Sequence, residues 1–215
     1  NKNFLKLNGK ELFWHTYNQA KKINSITNIV ISTDSEFFIK KAKSKKIDIL
    51  FKRPKSLSGS RAGKVPVIRH ALKKAENYYK IKFDVIMDLD ITSPLRSIQD
   101  IKNCLKKFKN KNSSNLITGT RSKKNPYFNM IEINKNIVKI SKKHSKNVVS
   151  RQQAPIVYEM NASIYLWKRN YLLKSNKLFT KTTSFYEMPY QRSIDIDNLQ
   201  DFKIVKLFME NEKNK

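Results

Sequence analysis

The stretch Phe83-Asp84-Val85-Ile86-Met87-Asp88-Leu89-Asp90 is central to the fold that this sequence predicts. It predicts a strand, the third along the chain. The strand leads directly into Thr92-Ser93-Pro94-Leu95-Arg96, which cannot be helical before its proline. The sequence therefore predicts a strand whose C-terminal end carries a polar turn.

Strands and helices alternate on both sides of this stretch. Apolar runs predict strands at 28–33, 47–51, 115–120 and 162–167, and helical spacing with N-cap residues predicts helices at 12–22, 34–45, 65–79, 97–108 and 199–210. Ser97 with Asp100 resembles a capping box. Alternation of this kind indicates an α/β protein with a mainly parallel sheet that helices cover on both faces.

The pattern changes after Arg121. Residues 127–133 and 136–140 predict a hairpin, a Lys-rich loop follows, and Arg151-Gln152-Gln153-Ala154-Pro155 predicts a turn. We therefore expect three parts, which are an α/β domain over 1–121, a small β-rich arm over 122–157 and a return to the α/β domain over 158–215. Protruding arms of this kind often mediate dimerisation.

The chain carries a formal net charge of +28 over 215 residues, which by itself suggests a nucleic-acid partner. Only 8 of the 45 basic residues are arginine, the residue that base-reading proteins favour. The lysines are dispersed over many predicted helix faces, and an A/T-rich genome explains their abundance equally well. We therefore expect no nucleic-acid partner, although the charge would attract nucleotide triphosphates and anionic sugars.

Composition also argues against several other classes of protein. The single cysteine, Cys104, rules out an internal disulfide and favours a reducing, cytoplasmic location. No apolar run approaches the roughly 18 residues that a membrane span needs, so we expect no membrane partner. The three histidines, His15, His70 and His144, are scattered along the chain, which disfavours a histidine-based zinc site.

The segment Ser193-Ile194-Asp195-Ile196-Asp197 alternates apolar and polar residues, which predicts a short strand or strand end with both carboxylates on one face. Neighbouring carboxylates repel each other unless a cation lies between them. The functional interpretation is a Mg²⁺ site that shares its ligands with phosphates. The alternative is an Asp-rich turn after a strand, and for an isolated Asp-x-Asp motif that alternative is the better one.

Four polar segments are predicted at the carboxyl ends of the strands, where open α/β sheets bind their ligands. They are Ser32-Thr33-Asp34, Arg53-Pro54, residues 90–96 and the pair Asp195 and Asp197. Each one alone is more often a helix cap, a strand breaker or a turn, but four at one sheet edge favour a binding site. The sequence has no evident Ser-His-Asp or Cys-His arrangement, so the chemistry would depend on positioning, a cation and basic residues around phosphates.

Six short motifs occur along the chain in a specific order. They are Lys2-Asn3, Ser32-Thr33-Asp34, Arg53-Pro54 with Leu57, Thr92-Ser93-Pro94-Leu95-Arg96, Asn161-Ala162-Ser163-Ile164-Tyr165 and Ser193-Ile194-Asp195-Ile196-Asp197. The ordered set resembles the cytidylyltransferases that activate sialic acid and related nine-carbon 2-keto acids as CMP-sugars. Three further segments are most similar to the legionaminic acid branch, namely Asp88-Leu89-Asp90, Arg151-Gln152-Gln153-Ala154-Pro155 and Tyr158-Glu159-Met160-Asn161. The resemblance covers nearly the whole chain and implies a Rossmann-like nucleotidyltransferase fold with a dimerisation arm.

That resemblance implies a reaction in which the anomeric hydroxyl of the sugar attacks the α-phosphorus of CTP and releases pyrophosphate. Asp195 and Asp197 would hold Mg²⁺ and, with Arg151 close to the sugar acid or the phosphates, would form the catalytic set. The residues implied to bind the nucleotide are Lys2, Asn3 and Arg53, and those implied to lie beside the sugar are Asp90, Asn161 and Tyr165. Members of the family are typically homodimers, so the resemblance also implies a homodimer.

Three departures from the family pattern modify this interpretation. Sialic acid enzymes typically have Gln where this chain has Asp90 and a basic residue where it has Glu159, which argues for another nonulosonic acid. Gly63-Lys64 replaces the small hydroxyl residues that are usual after Arg53. Family members also begin with a strand and a loop of the form Ala-Arg-Gly-Gly-Ser-Lys-Gly before the motif found here as Lys2-Asn3, so we expect this chain to be a piece of a longer protein.

Three alternatives stay open at this point. The chain could be a non-catalytic or truncated relative that binds nucleotide or sugar, or only dimerises. It could be a basic nucleic-acid binder, for which a salt-sensitive complex would be the evidence. It could also belong with the enzymes that activate the eight-carbon acid Kdo, whose architecture is shared, although the motifs fit that branch less well.

Overall fold

The computed structural model describes residues 4–213 except 46, 48, 60, 112 and 146. The helices are α1 (Leu12–Lys21), α2 (Glu36–Ser44), α3 (Lys64–Tyr79), α4 (Ile98–Asn110), α5 (Arg169–Lys174) and α6 (Leu199–Lys213). The strands are β1 (Lys6–Leu7), β2 (Lys10–Glu11), β3 (Val85–Leu89), β4 (Asn115–Arg121), β5 (Ile131–Asn134), β6 (Ile137–Ile140), β7 (Tyr158–Met160), β8 (Ile164–Lys168) and β9 (Thr183–Glu187). The five predicted helices are confirmed, and the short helix α5 was missed.

Side chains cap the starts of α2 and α4, and the cap of α4 is the predicted capping box. Ser35 precedes α2 and accepts a hydrogen bond from the backbone N–H of Phe38 at 3.2 Å. Ser97 and Asp100 form the capping box of α4, because each side chain accepts a hydrogen bond from the backbone N–H of the other residue. These caps satisfy N–H groups that would otherwise lack partners at the ends of the two helices.

A five-stranded sheet lies at the centre of the fold, in the order β3-β8-β4-β7, with β9 also paired to β4. Asn115 and Leu116 of β4 pair with both β8 and β9, and Gly119 pairs with both β7 and β9. Strands β7 and β8 therefore follow one edge of β4 in succession, while β9 follows the other edge.

The prediction of a mainly parallel sheet is wrong. Only β4 and β9 pair in parallel, whereas β8 is antiparallel to both β3 and β4, and β7 is antiparallel to β4. The cause is β8, which follows the predicted arm in sequence and lies between β3 and β4. Because a local pattern does not specify the neighbour of a strand, alternating segments could not reveal this insertion. Strands β3, β4 and β9 still run in one direction, so their carboxyl ends share one edge of the sheet.

The predicted strands at 28–33 and 47–51 are also wrong over the residues that the structure describes. Their described residues belong to no strand, and one backbone hydrogen bond joins the ends of the two segments, from the Arg53 N–H to the Thr33 carbonyl at 2.7 Å. Ile31 and Ile49 nevertheless pack against the cluster that α1 and α2 bury. The apolar runs are therefore partly buried, but packing alone does not supply the repeated backbone pairing of a strand.

Helices cover both faces of the central sheet, as the sequence predicted. Ile164 and Leu166 of β8 pack in a cluster with the buried face of α4. Tyr165 and Trp167, which point to the opposite face, pack with residues of α3 and α5. Residues 164–167 of β8 are buried on both faces, which accounts for their uninterrupted run of large apolar and aromatic side chains.

The arm contains an exposed antiparallel hairpin of β5 and β6, which confirms the predicted hairpin with a shorter first strand. Its turn residues Lys135 and Asn136 have φ values of 47° and 64°, the left-handed conformation that two-residue hairpin turns favour. Residues 151–154 form a turn, as predicted. Across the described ranges, the structure contains no helix long and apolar enough to cross a membrane.

Candidate active site

Arg96 ends the turn after β3 and is almost completely buried, with 1% of its surface exposed. Its guanidinium group donates hydrogen bonds to Thr16 Oγ1 at 2.6 Å, to Gln19 Oε1 at 3.1 Å and to Ser163 Oγ at 3.2 Å. It also donates to the backbone carbonyls of Ser163 and Asp90. A single side chain therefore fixes α1, the end of β3 and the start of β8 relative to one another.

The charge of Arg96 is held within an acidic environment. Burial lowers the pKa of Arg96 to about 10, while the carboxylates of Asp90, Asp88 and Asp195 act in the opposite direction. A pKa of about 10 leaves the guanidinium group charged at neutral pH. The edge of the sheet thus carries a fixed cation behind its acidic side chains.

Lys64, the first residue of α3, lies between two of these carboxylates. Its Nζ atom is 3.0 Å from Asp88 Oδ2 and 3.3 Å from Asp90 Oδ2. The same atom donates to the Ala162 carbonyl at 3.3 Å and lies 4.5 Å from the centre of the Tyr165 ring. Burial alone would lower the pKa of Lys64, but the neighbouring charges of Asp88 and Asp90 outweigh burial and raise it.

Asp90 is held in one orientation as the charged form. Its Oδ1 atom accepts hydrogen bonds from the Thr92 hydroxyl at 2.9 Å and the Thr92 N–H at 3.3 Å, while Oδ2 faces Lys64. Burial raises the pKa of Asp90, but the charge of Lys64 and the hydrogen bonds from Thr92 outweigh that effect and leave the pKa below its ordinary value. The carboxylate is therefore an acceptor at the end of β3.

The edge of β4 is interrupted between β7 and β8, and Asn161 occupies the gap. Ala162 adopts a φ of 52° there, and Asn161 Oδ1 accepts from the Thr118 hydroxyl at 2.7 Å and the Ser163 N–H at 3.2 Å. Its Nδ2 atom donates to Ser193 Oγ at 3.0 Å. Because Asn161 is buried and its amide bonds to protein atoms, this geometry favours a positioning role over the direct sugar contact implied by the resemblance.

The acidic pair lies on a loop that packs beside the turn after β3. The Ile196 N–H donates to the Thr92 carbonyl at 2.9 Å, and Ser93 Oγ donates to Asp195 Oδ1 at 3.5 Å. Residues 193–197 form no strand, so the predicted strand at this position is wrong. Ile194 and Ile196 pack in one apolar cluster, as predicted, whereas Asp195 is half-buried and Asp197 is exposed.

Arg53 joins two of the segments that the sequence assigned to the sheet edge. Its Nη2 atom is 3.0 Å from Asp34 Oδ1, and its N–H bonds to the Thr33 carbonyl. The hydrogen bond from Arg53 holds the pKa of Asp34 below its ordinary value. Arg53 Nε is buried without a hydrogen-bond partner, so the guanidinium group retains a donor that no atom among the described residues accepts.

The structure places the remaining candidate residues in different surroundings. Tyr165 is buried at 3% exposure, with its ring against Lys64, and it belongs to the same cluster as Asp90. Arg151 is exposed in the turn of the arm, outside this cluster. The candidates Lys2 and Asn3 lie outside the described residues.

Sequence reasoning missed three contributors to the site. Lys64 was noted only as a departure from a family pattern, although a lysine that opens a helix after a Gly-containing loop was a usable signal. Arg96 was noted as part of a motif without a role, and its burial was invisible in the sequence. Thr118 carried no signal at all, since a threonine inside a strand is ordinary.

Comparison with known proteins identifies the family once this geometry is established. Residues 1–214 match the cytidylyltransferase family, so the chain belongs to that family of nucleotidyltransferases. It is 42% identical over 214 residues to the post-translational flagellin modification protein B of Campylobacter coli, covering all of this chain and 90% of the relative. It is 41% identical over 209 residues to the CMP-N,N'-diacetyllegionaminic acid synthase of Campylobacter jejuni, covering 97% of this chain and 88% of the relative.

Solved structures support the same fold. The structure of CMP:2-keto-3-deoxy-manno-octonic acid synthetase complexed with CTP superimposes with a TM-score of 0.68. It covers 98% of this chain and 92% of the other, at 13% sequence identity. This likeness shows a shared α/β architecture, and at that identity it shows the fold alone.

Proposed function

We propose that this protein transfers the CMP group of CTP to a nonulosonic acid of the legionaminic type, forming a CMP-sugar and releasing pyrophosphate. The observation that carries the proposal is the position of the acidic pair. The Ile196 N–H and the Asp195 carboxylate contact Thr92 and Ser93, respectively, so the pair lies beside the turn that begins with Asp90. Transfer of a nucleotidyl group to an acidic sugar requires a metal-binding segment close to a sugar-binding group. The candidates for both lie on adjoining loops here.

Asp195 and Asp197 are the side chains that would hold Mg²⁺, since carboxylate oxygens are ligands that this cation prefers. Asp195 is half-buried and Asp197 is exposed, so neither is sealed within the core. The described part of the chain contains no group of three or more His, Cys, Asp or Glu side chains able to hold a metal. A cation here would therefore complete its shell with phosphate oxygens and water, as Mg²⁺ commonly does, and would neutralise charge on the triphosphate.

Basic side chains would orient the other parts of the reaction. Arg53 has an unpartnered buried Nε donor next to Asp34, which suits contact with the nucleotide. Arg151 lies on the arm, where it would approach the sugar acid or the phosphates. Holding the sugar beside the triphosphate would bring the anomeric hydroxyl and the α-phosphorus together, which is the main contribution that positioning can make.

The acidic side chains around the sugar position support a legionaminic-type substrate. Asp88 and Asp90 lie together at the end of β3, and Glu159 lies in β7, paired with Thr120 of β4. These carboxylates accept hydrogen bonds from N–H and O–H groups and repel further negative charge. A nonulosonic acid with additional nitrogen substituents offers such N–H donors, which ordinary sialic acid offers at fewer positions.

We also propose that the protein is a homodimer formed through its arm. Four apolar side chains of the β5–β6 hairpin are between 60% and 68% exposed, namely Ile131, Ile133, Ile137 and Val138. A two-stranded hairpin with an uncovered apolar surface is marginal by itself in water, and a second subunit would cover that surface.

Pyrophosphate release by the full-length protein tests the proposed reaction. CTP with Mg²⁺ and diacetyllegionaminic acid should release pyrophosphate, whereas CTP with N-acetylneuraminic acid or Kdo should react at least tenfold more slowly. Activity with Kdo alone would favour the eight-carbon alternative. If CTP and Mg²⁺ neither react nor raise the melting temperature, the non-catalytic alternative is correct.

A further inference from the structure

Protein groups occupy the surroundings of the Lys64 ammonium group. Its Nζ atom donates to Asp90 Oδ2 and to the Ala162 carbonyl, each at 3.3 Å, and forms an ion pair with Asp88 Oδ2 at 3.0 Å. The Tyr165 ring lies 4.5 Å from the same atom. A lysine engaged in this way is poorly placed to bind the carboxylate of a substrate, although about a third of its side chain is exposed.

The same contacts limit the hydrogen bonds that Asp90 can still accept from a ligand. A carboxylate offers about four acceptor positions, and Asp90 uses three of them for the Thr92 N–H, the Thr92 hydroxyl and Lys64. About a third of the Asp90 side chain is exposed. A ligand group that meets Asp90 must therefore donate a hydrogen bond to it, because the carboxylate has no proton to give.

We propose that Lys64 is a positioning residue that fixes Asp90 as an ionised acceptor, so that the site selects sugar acids presenting an N–H or O–H donor at that point. This inference rests on the proposed function and adds the residue that enforces the choice. Asp88, two residues earlier along the chain in β3, forms an ion pair with the same ammonium group and limits the positions that Lys64 can take.

The arrangement explains why a lysine stands at this position. The charges of Asp90, Asp88, Asp195 and Asp100 all act on Arg96, but its donors are already used by α1, by Ser163 and by the Asp90 carbonyl. Without a second cation, Asp88 and Asp90 would repel each other, and one of them would take up a proton more readily. A protonated Asp90 could donate a hydrogen bond, and the site would then accept a carbonyl group as well as an amide N–H.

Four variants of the full-length protein test this proposal, namely Lys64→Met, Lys64→Arg, Asp90→Asn and the double variant Lys64→Met with Asp90→Asn. Lys64→Met should raise the KM for the sugar acid about tenfold, the size expected for loss of a charge-assisted hydrogen bond at the binding group. The KM for CTP should change less than twofold. Lys64→Arg keeps the charge and should recover most of the loss. Lys206→Met, which removes an exposed lysine paired with Glu210 on α6, is the matched control and should behave as the wild type.

The double variant separates positioning from a merely structural role. If Lys64 acts only through Asp90, adding Lys64→Met to Asp90→Asn should raise the sugar KM by less than twofold, because the carboxylate it positions is already gone. Additive effects of the two substitutions would overturn the proposal, as would an equal rise in both KM values or wild-type kinetics in Lys64→Met. If Lys64→Met does not fold, Lys64→Gln in the same cycle gives the same comparison.

Substrate analogues test whether the site selects a hydrogen-bond donor. Their results also distinguish a failure of this inference from a failure of the proposed function. Replacing the N-acyl and hydroxyl groups of the sugar one at a time by acceptors without N–H or O–H should cost the wild type at least tenfold in kcat/KM at one position and cost Asp90→Asn much less at that position. Equal losses in both proteins would contradict the inference. If the wild type forms no CMP-sugar from any nonulosonic acid, the proposed function itself fails.

Discussion

The guanidinium group of Arg192 makes two hydrogen bonds to the carboxylate of Asp100, with Nε 2.7 Å from Oδ2 and Nη2 3.0 Å from Oδ1. Asp100 also accepts hydrogen bonds from the N–H and hydroxyl of Ser97, each at 2.8 Å. Arg192 directly precedes the segment 193–197. One carboxylate therefore fixes both the start of α4 and the entry to the acidic pair.

Substitution of Asp100 by Asn should lower the free energy of unfolding by about 3 kcal/mol, because it breaks a buried ion pair and leaves Arg192 without its counter-charge. The Asp100 side chain is only 1% exposed, whereas Arg192 is 33% exposed, so solvent compensates only in part for the lost partner. Urea denaturation measures the effect. Glu210→Gln is the matched control, since Glu210 is exposed and pairs with Lys206 at 3.9 Å, and it should change stability by less than about 0.5 kcal/mol. Equal losses in the two variants would contradict the assignment.

The same pair should make stability depend on pH below about 4. Burial raises the pKa of Asp100, but the hydrogen bonds from Arg192 and Ser97 outweigh it and hold the pKa below its ordinary value of 3.8. The stabilisation is then complete above the unfolded-state pKa and is lost as the pH falls through the folded-state pKa. The difference in unfolding free energy between the wild type and Asp100→Asn should therefore be constant from pH 5 to 7 and shrink towards pH 3. A difference that grows on acidification would have the wrong sign.

Gly119 permits the close approach of three strands, and its replacement by Ala should be destabilising. A Cβ at this position would lie 2.5 Å from the Glu159 carbonyl and 2.9 Å from Phe185 Cε2. Because β4 is paired on both edges here, the backbone cannot shift freely, and we expect a loss of about 1–3 kcal/mol. Thermal unfolding measures it. Gly59→Ala, where no atom lies within 4 Å of the added Cβ, should leave stability nearly unchanged.

The fold was predictable where local chemistry decides the structure. The capping box of Ser97 and Asp100 and the hairpin turn at Lys135 and Asn136 each depend on residues a few positions apart. The direction of β8 depends on where the chain returns after the arm, a long-range relationship that no local pattern encodes. The prediction of a mainly parallel sheet was therefore wrong, and the described residues of the segments 28–33 and 47–51 are at least partly buried without forming strands.

The sequence predicted which segments form the candidate site better than it predicted what each side chain does there. Asp90, Asp195 and the turn between Thr92 and Arg96 were expected at one edge, and the structure places them in contact. The saturation of the Asn161 amide by Thr118, Ser163 and Ser193 could not be foreseen, because hydrogen-bond partners far apart in sequence leave no periodic signal. The contact between Lys64 and Asp90, which are 26 positions apart in sequence, could not be foreseen for the same reason.

A substitution in the exposed β5–β6 hairpin should change the oligomeric state of the protein. Ile133, which is 68% exposed, should lie within the dimer interface, so Ile133→Glu should convert a dimer to a monomer by placing a charge in an apolar contact. Light scattering coupled to size-exclusion chromatography measures the mass. Leu207→Glu, at a position of α6 that is 60% exposed, is the matched control and should stay dimeric. A wild type that is monomeric at 100 µM would contradict the proposed dimer directly.

Replacement of Asp197 by Asn should abolish most of the turnover without weakening the fold. The substitution keeps the shape of an exposed side chain, but an amide is a poorer ligand for Mg²⁺ than a carboxylate. We expect kcat to fall by at least a hundredfold, a size typical of losing electrostatic stabilisation at a reacting phosphate, with a melting temperature within about 2 °C of the wild type.

Asp201→Asn is a useful comparison, because Asp201 accepts the Asp197 N–H at 3.0 Å and should affect the loop without removing a metal ligand. Its kcat should fall less than tenfold and respond little to added Mg²⁺, whereas the residual activity of Asp197→Asn should rise with Mg²⁺ concentration. Wild-type turnover in Asp197→Asn would remove this residue from the metal site.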